Sequence, residues 1–230
     1  MYRIKYLLFF LLIPALSFSQ SERETNVGAS LSVDLEKDLS RSLSLGFEEE
    51  VRLVDNNIGF DRSVTSLGLD YSLFNKRVKL GAYYAFIYLY NNDYLYEPRH
   101  RYYFNVSYKQ PINSFTLSWR GRLQGTYRDE SRGEYKINPK YVMKNKFEVD
   151  YNVWGSPWKP FVSCDLSTTL NDPVAGNELM RMRLQGGVSW RIDRTTYLDF
   201  FVRHDKYFAD NDPNLWAIGI TYKAKLFYNY

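Results

Sequence analysis

Residues 120–125 read RGRLQG and residues 181–186 read RMRLQG. Each stretch puts two arginines two positions apart, followed by Leu and Gln. Such a pattern is a binding motif, a duplicated unit or a by-product of the fold, and the direction in which the arginines point decides between them. Other chemistry is sparse. The chain has two histidines, His100 and His204, and one cysteine, Cys164. That argues against an imidazole-rich or thiolate metal site and rules out an intramolecular disulfide. No cofactor and no metal is expected. A hydrolase needs an activated nucleophile within reach of a base. At two-residue spacing His100 has Pro98 and Tyr102, and His204 has Val202 and Lys206, so neither shares a strand face with a neighbouring serine. No enzymatic activity is expected, although a cross-strand serine, as in an outer-membrane lipid hydrolase, stays open. The sequence NVS at 105–107 falls within a strand candidate, and DND at 210–212 reads as a solvated turn.

The elements that position these residues begin after an export signal. Arg3 and Lys5 precede the apolar run LLFFLLIPALSF, and Ser17 and Ser19 supply small residues for cleavage. This three-part pattern is that of a secretory signal over residues 1–19. The run is too short to span a membrane as a helix, which takes about 20 residues. Residues 20–230 then form one domain. Without Arg3 and Lys5, 28 basic residues face 26 acidic ones, a balance too weak for a nucleic-acid partner. Aromatic residues make up 18% of the chain and 21 are tyrosines, yet mean hydropathy is negative. An exported, aromatic-rich chain without long apolar runs points to β structure.

After residue 26 the hydrophobic period is two. Val27, Ala29, Leu31, Val33 and Leu35 alternate with Gly28, Ser30, Ser32, Asp34 and Glu36. Within 42–53 the apolar face is broken only by Glu49. Further strands are expected at 63–73, 78–90, 100–109, 115–128, 141–152, 160–169, 178–191, 196–207 and 214–230. Short connections (KDLSR, FNKR, QPINS, VWGSPWK, IDRT) alternate with longer ones near 54–62, 91–99, 129–140, 170–177 and 208–213. Short turns at one rim and long loops at the other describe an all-β, antiparallel transmembrane β-barrel, with the short turns periplasmic and the longer loops extracellular.

A soluble lipocalin-like barrel has the same period with the apolar face inward. Three features favour the inverse. Aromatic residues sit at the ends of the apolar face: Phe115 and Tyr127, Tyr141 and Tyr151, Trp216 and Tyr228, with Trp190 in a similar place. The ten steps from Tyr141 to Tyr151 span roughly 33 Å, or about 25 Å at a ~40° tilt, the height of a lipid-facing band between aromatic girdles. Gly28, Gly46, Gly68, Gly81, Gly187 and Gly219 lie on the polar face, where they would make room for long charged side chains inside a narrow barrel. The chain ends WAIGITYKAKLFYNY, with its apolar residues on one face.

That ending is similar to the terminal assembly signal of bacterial outer-membrane proteins. EEEVRLVDN (48–56), EPRHRYYFNV (97–106), SWRGRLQ (118–124) and PFVSCDLS (160–167) resemble a family of bacterial outer-membrane barrels known only as a domain of unknown function. The resemblance implies a fold and a location, the cell outer membrane of a Gram-negative bacterium. It brings no catalytic role. The partners it implies are outer-membrane lipids and the assembly machinery that engages the C-terminal strand. Eleven candidates do not fit the even strand number usual for bacterial barrels, so ten or twelve strands are expected.

By parity Arg120, Arg122, Gln124, Arg181, Arg183 and Gln185 point inward, and strand geometry by itself produces such a repeat, with an old hairpin duplication as the alternative. Arg99, Arg101, Arg120, Arg122, Lys144 and Lys146 on three consecutive strands, with Arg181 and Arg183, would form a basic lumen wall. Glu48, Glu50, Asp165 and Asp199 are its acidic counterparts. Isolated charges in a dry interior cost several kcal/mol, so these groups are paired or wet. Wet, they line a narrow passive channel favouring small anionic solutes. Paired, they close a structural or adhesive barrel that transports nothing.

Overall fold

The computed structural model describes residues 25–54, 59–91, 95–128, 138–172, 177–208 and 213–227. The expected signal at 1–19, the DND turn, and Tyr228 of the aromatic set lie outside the described residues. Eleven strands form among the described residues: β1 (Thr25–Asp38), β2 (Leu43–Val54), β3 (Gly59–Leu73), β4 (Val78–Asn91), β5 (Leu95–Ile112), β6 (Phe115–Arg128), β7 (Lys140–Tyr151), β8 (Trp158–Thr169), β9 (Leu179–Arg191), β10 (Thr196–Tyr207) and β11 (Asn214–Leu226). They close into one barrel in sequence order. No helix among the described residues is long and apolar enough to cross a membrane.

Each consecutive pair is antiparallel, and β1 pairs with β11 in parallel from Thr25↔Asn214 to Lys37↔Leu226. This corrects the expectation of ten or twelve strands. In an up-and-down barrel with an odd count, the first and last strands run the same way. They can close only in parallel. The parallel seam still pairs the backbone groups of both edges, so no edge is left open. The 27–36 stretch is therefore a true barrel strand.

The turns follow local chemistry. Asn113, between β5 and β6, has φ 53°, a left-handed conformation that asparagine tolerates. Between β9 and β10, Asp193 accepts hydrogen bonds from the backbone N–H groups of Thr195 (2.6 Å) and Thr196 (2.8 Å). These hydrogen bonds hold its carboxyl below the ordinary carboxylate range. Between β1 and β2, the Ser40 hydroxyl accepts from the N–H groups of Ser42 and Leu43. These short turns share one rim with the end of β11. The start of β1 and the ends of β2, β4, β6, β8 and β10 share the other.

The barrel is inside-out relative to a soluble one. Leu31, Leu67, Phe104, Phe147, Val202 and Ile218 are exposed on the outer wall. The buried set is rich in charged and polar residues, among them Arg52, Asp70, Asp165, Arg203 and Asp205. The lipocalin-like alternative, with its apolar face inward, is thereby excluded.

The inward glycines do make room, more often for aromatic rings than for charges. A Cβ at Gly46 or Gly68 would overlap Tyr83, one at Gly219 would overlap Phe201, and one at Gly81 would overlap the Asp70 carboxylate. Gly187 lies against Phe161 and the backbone of Phe200. Tyr83 stacks on Tyr103 with ring centroids 5.1 Å apart, and the pair forms the centre of a small apolar core inside the barrel. A flat ring fills a narrow lumen at little cost, whereas a charged side chain there would need its own partner.

Candidate functional site

The lumen holds a cavity of about 970 Å³. It reaches the short-turn rim, where Asn113, Ser114 and residues 152–159 line it, and Trp154 stands 97% exposed at the mouth. At its inner end are Arg52, Arg62, Arg101, Arg181 and Arg183. The inward side chains of Gln124, Val142, Ser167, Thr169, Leu215 and Ala217 are buried.

Register orders the charges into hydrogen-bonded rows across the wall. One row runs Asn105↔Arg122↔Lys144↔Ser167↔Arg181 over β5 to β9 and contains no carboxylate. The next, toward the short turns, runs Ser107↔Arg120↔Lys146↔Asp165↔Arg183↔Asp205. The two Arg-x-Arg motifs thus occupy the same two rows on β6 and β9. Their similarity is positional.

The expected wall divides into two kinds of cation. Some are paired. Arg183 donates from Nε and Nη2 to the two oxygens of Asp205 at 2.6 and 2.9 Å. Arg203 reaches Glu50 at 3.3 Å and Asp205 at 3.9 Å, and Arg52 donates to Glu50 at 3.0 Å. These groups form one connected chain, Arg52–Glu50–Arg203–Asp205–Arg183, buried at Arg52, Arg203 and Asp205. Arg99 is bound to Glu97 at 2.8 Å and does not line the cavity, and Lys146 pairs with Glu148 at 2.5 Å. Asp199 pairs with Lys223 at 2.6 Å. Arg52, Glu148, Arg203, Asp205 and Lys223 were absent from the sequence-based set. Alternation with outward Val202 and His204 marks Arg203 and Asp205 as inward, but sequence alone does not show which inward groups meet.

The others have no ion-pair partner among the described residues: Arg101, Arg120, Arg122, Lys144 and Arg181. Neutral acceptors hold three of them. Arg101 Nε donates to Thr126 at 3.0 Å, Arg122 Nε to Asn105 at 2.8 Å, and Arg181 Nη2 to Ser167 at 3.5 Å. Asn105 of the NVS stretch is therefore an inward, buried residue. Arg122 also lies 3.9 Å over the ring of Tyr103. Glu48 accepts from the Tyr103 hydroxyl at 3.3 Å, and Asp165 accepts from Ser167 at 3.2 Å. Neither carboxylate neutralises a wall arginine within ion-pair distance.

The outward aromatics form two bands. At the short-turn end Phe115 packs on Tyr151 (4.9 Å) and Trp158 on Trp190 (5.7 Å). At the other end Tyr127 meets Tyr102 (6.1 Å), and Trp216 meets His204 (4.5 Å). Tyr141 is exposed beside them. The Tyr84 hydroxyl lies 2.7 Å from His100 Nδ1. Cys164 is free and faces outward between Phe147 and Leu184. Glu49 also faces outward, between Val33 and Thr65. No group of three or more metal-ligating side chains is gathered among the described residues.

No curated protein matches the chain. The family described as "Protein of unknown function (DUF2490)" matches residues 28–215, from β1 to the start of β11 and across every strand between. Well over half of the chain lies within that match, and the protein belongs to the DUF2490 family.

Proposed function

We propose that this protein is an outer-membrane β-barrel that acts as a narrow passive channel for small anionic solutes. One observation carries the reading: five inward cations without an ion-pair partner among the described residues surround a polar cavity of about 970 Å³. Left dry, each would cost several kcal/mol. Water in the cavity removes that cost, and the summed field of the wall then attracts anions. The apolar exterior between two aromatic bands supports the membrane location. Assembly through the C-terminal strand belongs to the same reading, and deleting Phe227–Tyr230 is expected to reduce membrane insertion.

The Arg52–Glu50–Arg203–Asp205–Arg183 chain favours a second reading, a closed structural barrel, because it ties β2 to β9 and β10 at the inner end of the cavity. Purified protein in a planar bilayer separates the two. The channel reading expects conductance with anion preference. Changing Arg120, Arg122 and Arg181 to Gln should weaken that preference and leave the fold intact. Absence of conductance from the parent protein would favour the closed barrel. Fractionation that finds most of the protein in a soluble periplasmic pool would overturn both.

A further inference from the structure

We propose that Arg122, Lys144 and Arg181, with Arg101 beside them, form a binding site for one compact oxyanion carrying two or more negative charges. The inference rests on the lumen being water-filled, and it names the solute class. The site lies at the inner end of the cavity, and all four side chains line it.

Three features distinguish this row from a general positive field. First, it holds no carboxylate from β5 to β9, whereas the neighbouring row contains Asp165 and Asp205. Second, the guanidiniums are oriented without being neutralised. Thr126, Asn105 and Ser167 each engage one nitrogen of Arg101, Arg122 and Arg181, and the Nε of Arg181 is buried without a partner. Such forks match an oxyanion's oxygens in pairs, and Lys144 adds a point charge. Third, the site is rigid on one side. Arg122 rests on Tyr103, Tyr103 stacks on Tyr83, and the Tyr83 hydroxyl donates to Asp70 at 2.7 Å.

The empty arrangement is unfavourable. Arg122 and Lys144 are direct cross-strand partners, and like charges opposite one another repel. Adjacent strands lie about 4.8 Å apart, so Arg122 and Lys144 are one strand spacing apart and Arg181 two beyond. Long side chains from these positions line the same cavity. A monovalent ion offsets one of these charges, and a multivalent oxyanion offsets several.

The test is calorimetric titration of the detergent-solubilised full-length protein with inorganic pyrophosphate, at constant ionic strength set by chloride. Saturable one-to-one binding is expected. Arg122→Gln, Lys144→Gln and Arg181→Gln should each weaken it by about tenfold or more, the loss of one charge-assisted hydrogen bond. Arg191→Gln, which alters a lumen cation outside the row, should change affinity less than about threefold, a residual field effect. Lys144 makes no hydrogen bond or ion pair with the described residues, so Lys144→Gln leaves no partner orphaned and keeps the test readable if an arginine variant fails to fold. A parallel titration with citrate shows whether the site takes carboxylates as well as phosphoryl groups. No binding beyond chloride competition, or an equal loss with Arg191→Gln, would overturn the site. Binding without bilayer conductance would keep the site and remove the channel. Conductance with anion preference but no pyrophosphate binding would keep the channel and remove the site.

Discussion

Arg183 on β9 and Asp205 on β10 form a two-point ion pair inside the barrel, with Nε and Nη2 at 2.6 and 2.9 Å from the two carboxylate oxygens and Asp205 fully buried. Asp205 also faces Arg203, which is itself buried. Breaking a buried pair leaves an uncompensated charge and costs about 3–5 kcal/mol. Asp205→Asn is therefore expected to lower unfolding stability by that order in urea titrations of detergent-solubilised protein. Lys76→Ala, which removes the exposed lysine of the Lys76–Asp38 pair at 3.6 Å and leaves Asp38 with Lys225, should cost less than about 1 kcal/mol. Equal effects would show that the lumen pair is wet.

Arg120 predicts the opposite sign. It lies directly across from Lys146, and no carboxylate pairs with it among the described residues. Removing one of two facing like charges relieves repulsion, worth roughly 0.2–1 kcal/mol in cross-strand pairs. Arg120→Gln should leave the unfolding midpoint unchanged or slightly raised. A large loss of stability would mean that Arg120 takes part in a buried network.

Gly68 faces Tyr83, and a Cβ there would overlap both the ring and the backbone oxygen of Ala82. Gly68→Val is expected to destabilise by about 1–3 kcal/mol, as overpacking does. At Gly186, on the outer wall, nothing lies within 4 Å of a Cβ, so Gly186→Ala should be tolerated. Thermal unfolding of the two variants compares them directly, and similar midpoints would contradict the packed inner core.

Asp193 offers a pH test outside the strands. Its carboxyl is held low by hydrogen bonds from Thr195 and Thr196. A carboxylate with a lowered folded-state pKa stabilises fully above its unfolded value of about 3.9 and loses that stabilisation as pH falls through the folded value. Amide protection of Thr195 and Thr196 should therefore persist to pH 4 and decay below it. Protection lost with a midpoint at about pH 3.9 or above would show that the carboxyl is not held low.

The sequence by itself determined the strands and their faces. Period-two alternation places every residue on one side of a sheet, so the inward direction of Arg120, Arg122, Arg181 and Arg183 and the outward direction of Leu31, Phe147 and Ile218 were legible. Loop lengths fixed the two rims for the same local reason. Tertiary structure decided what depends on registers around a closed circuit. The parallel β1–β11 seam follows from the total count of strands, which no single stretch contains. That the inward glycines receive Tyr83 and Phe201 follows from close approach between neighbouring strands and across the lumen. The division of the basic wall into Arg183, locked to Asp205, and Arg122, held by Asn105, is likewise a matter of which inward positions share a row. Strand parity is local, but partnership between charges requires long-range register, and only the closed barrel supplies it.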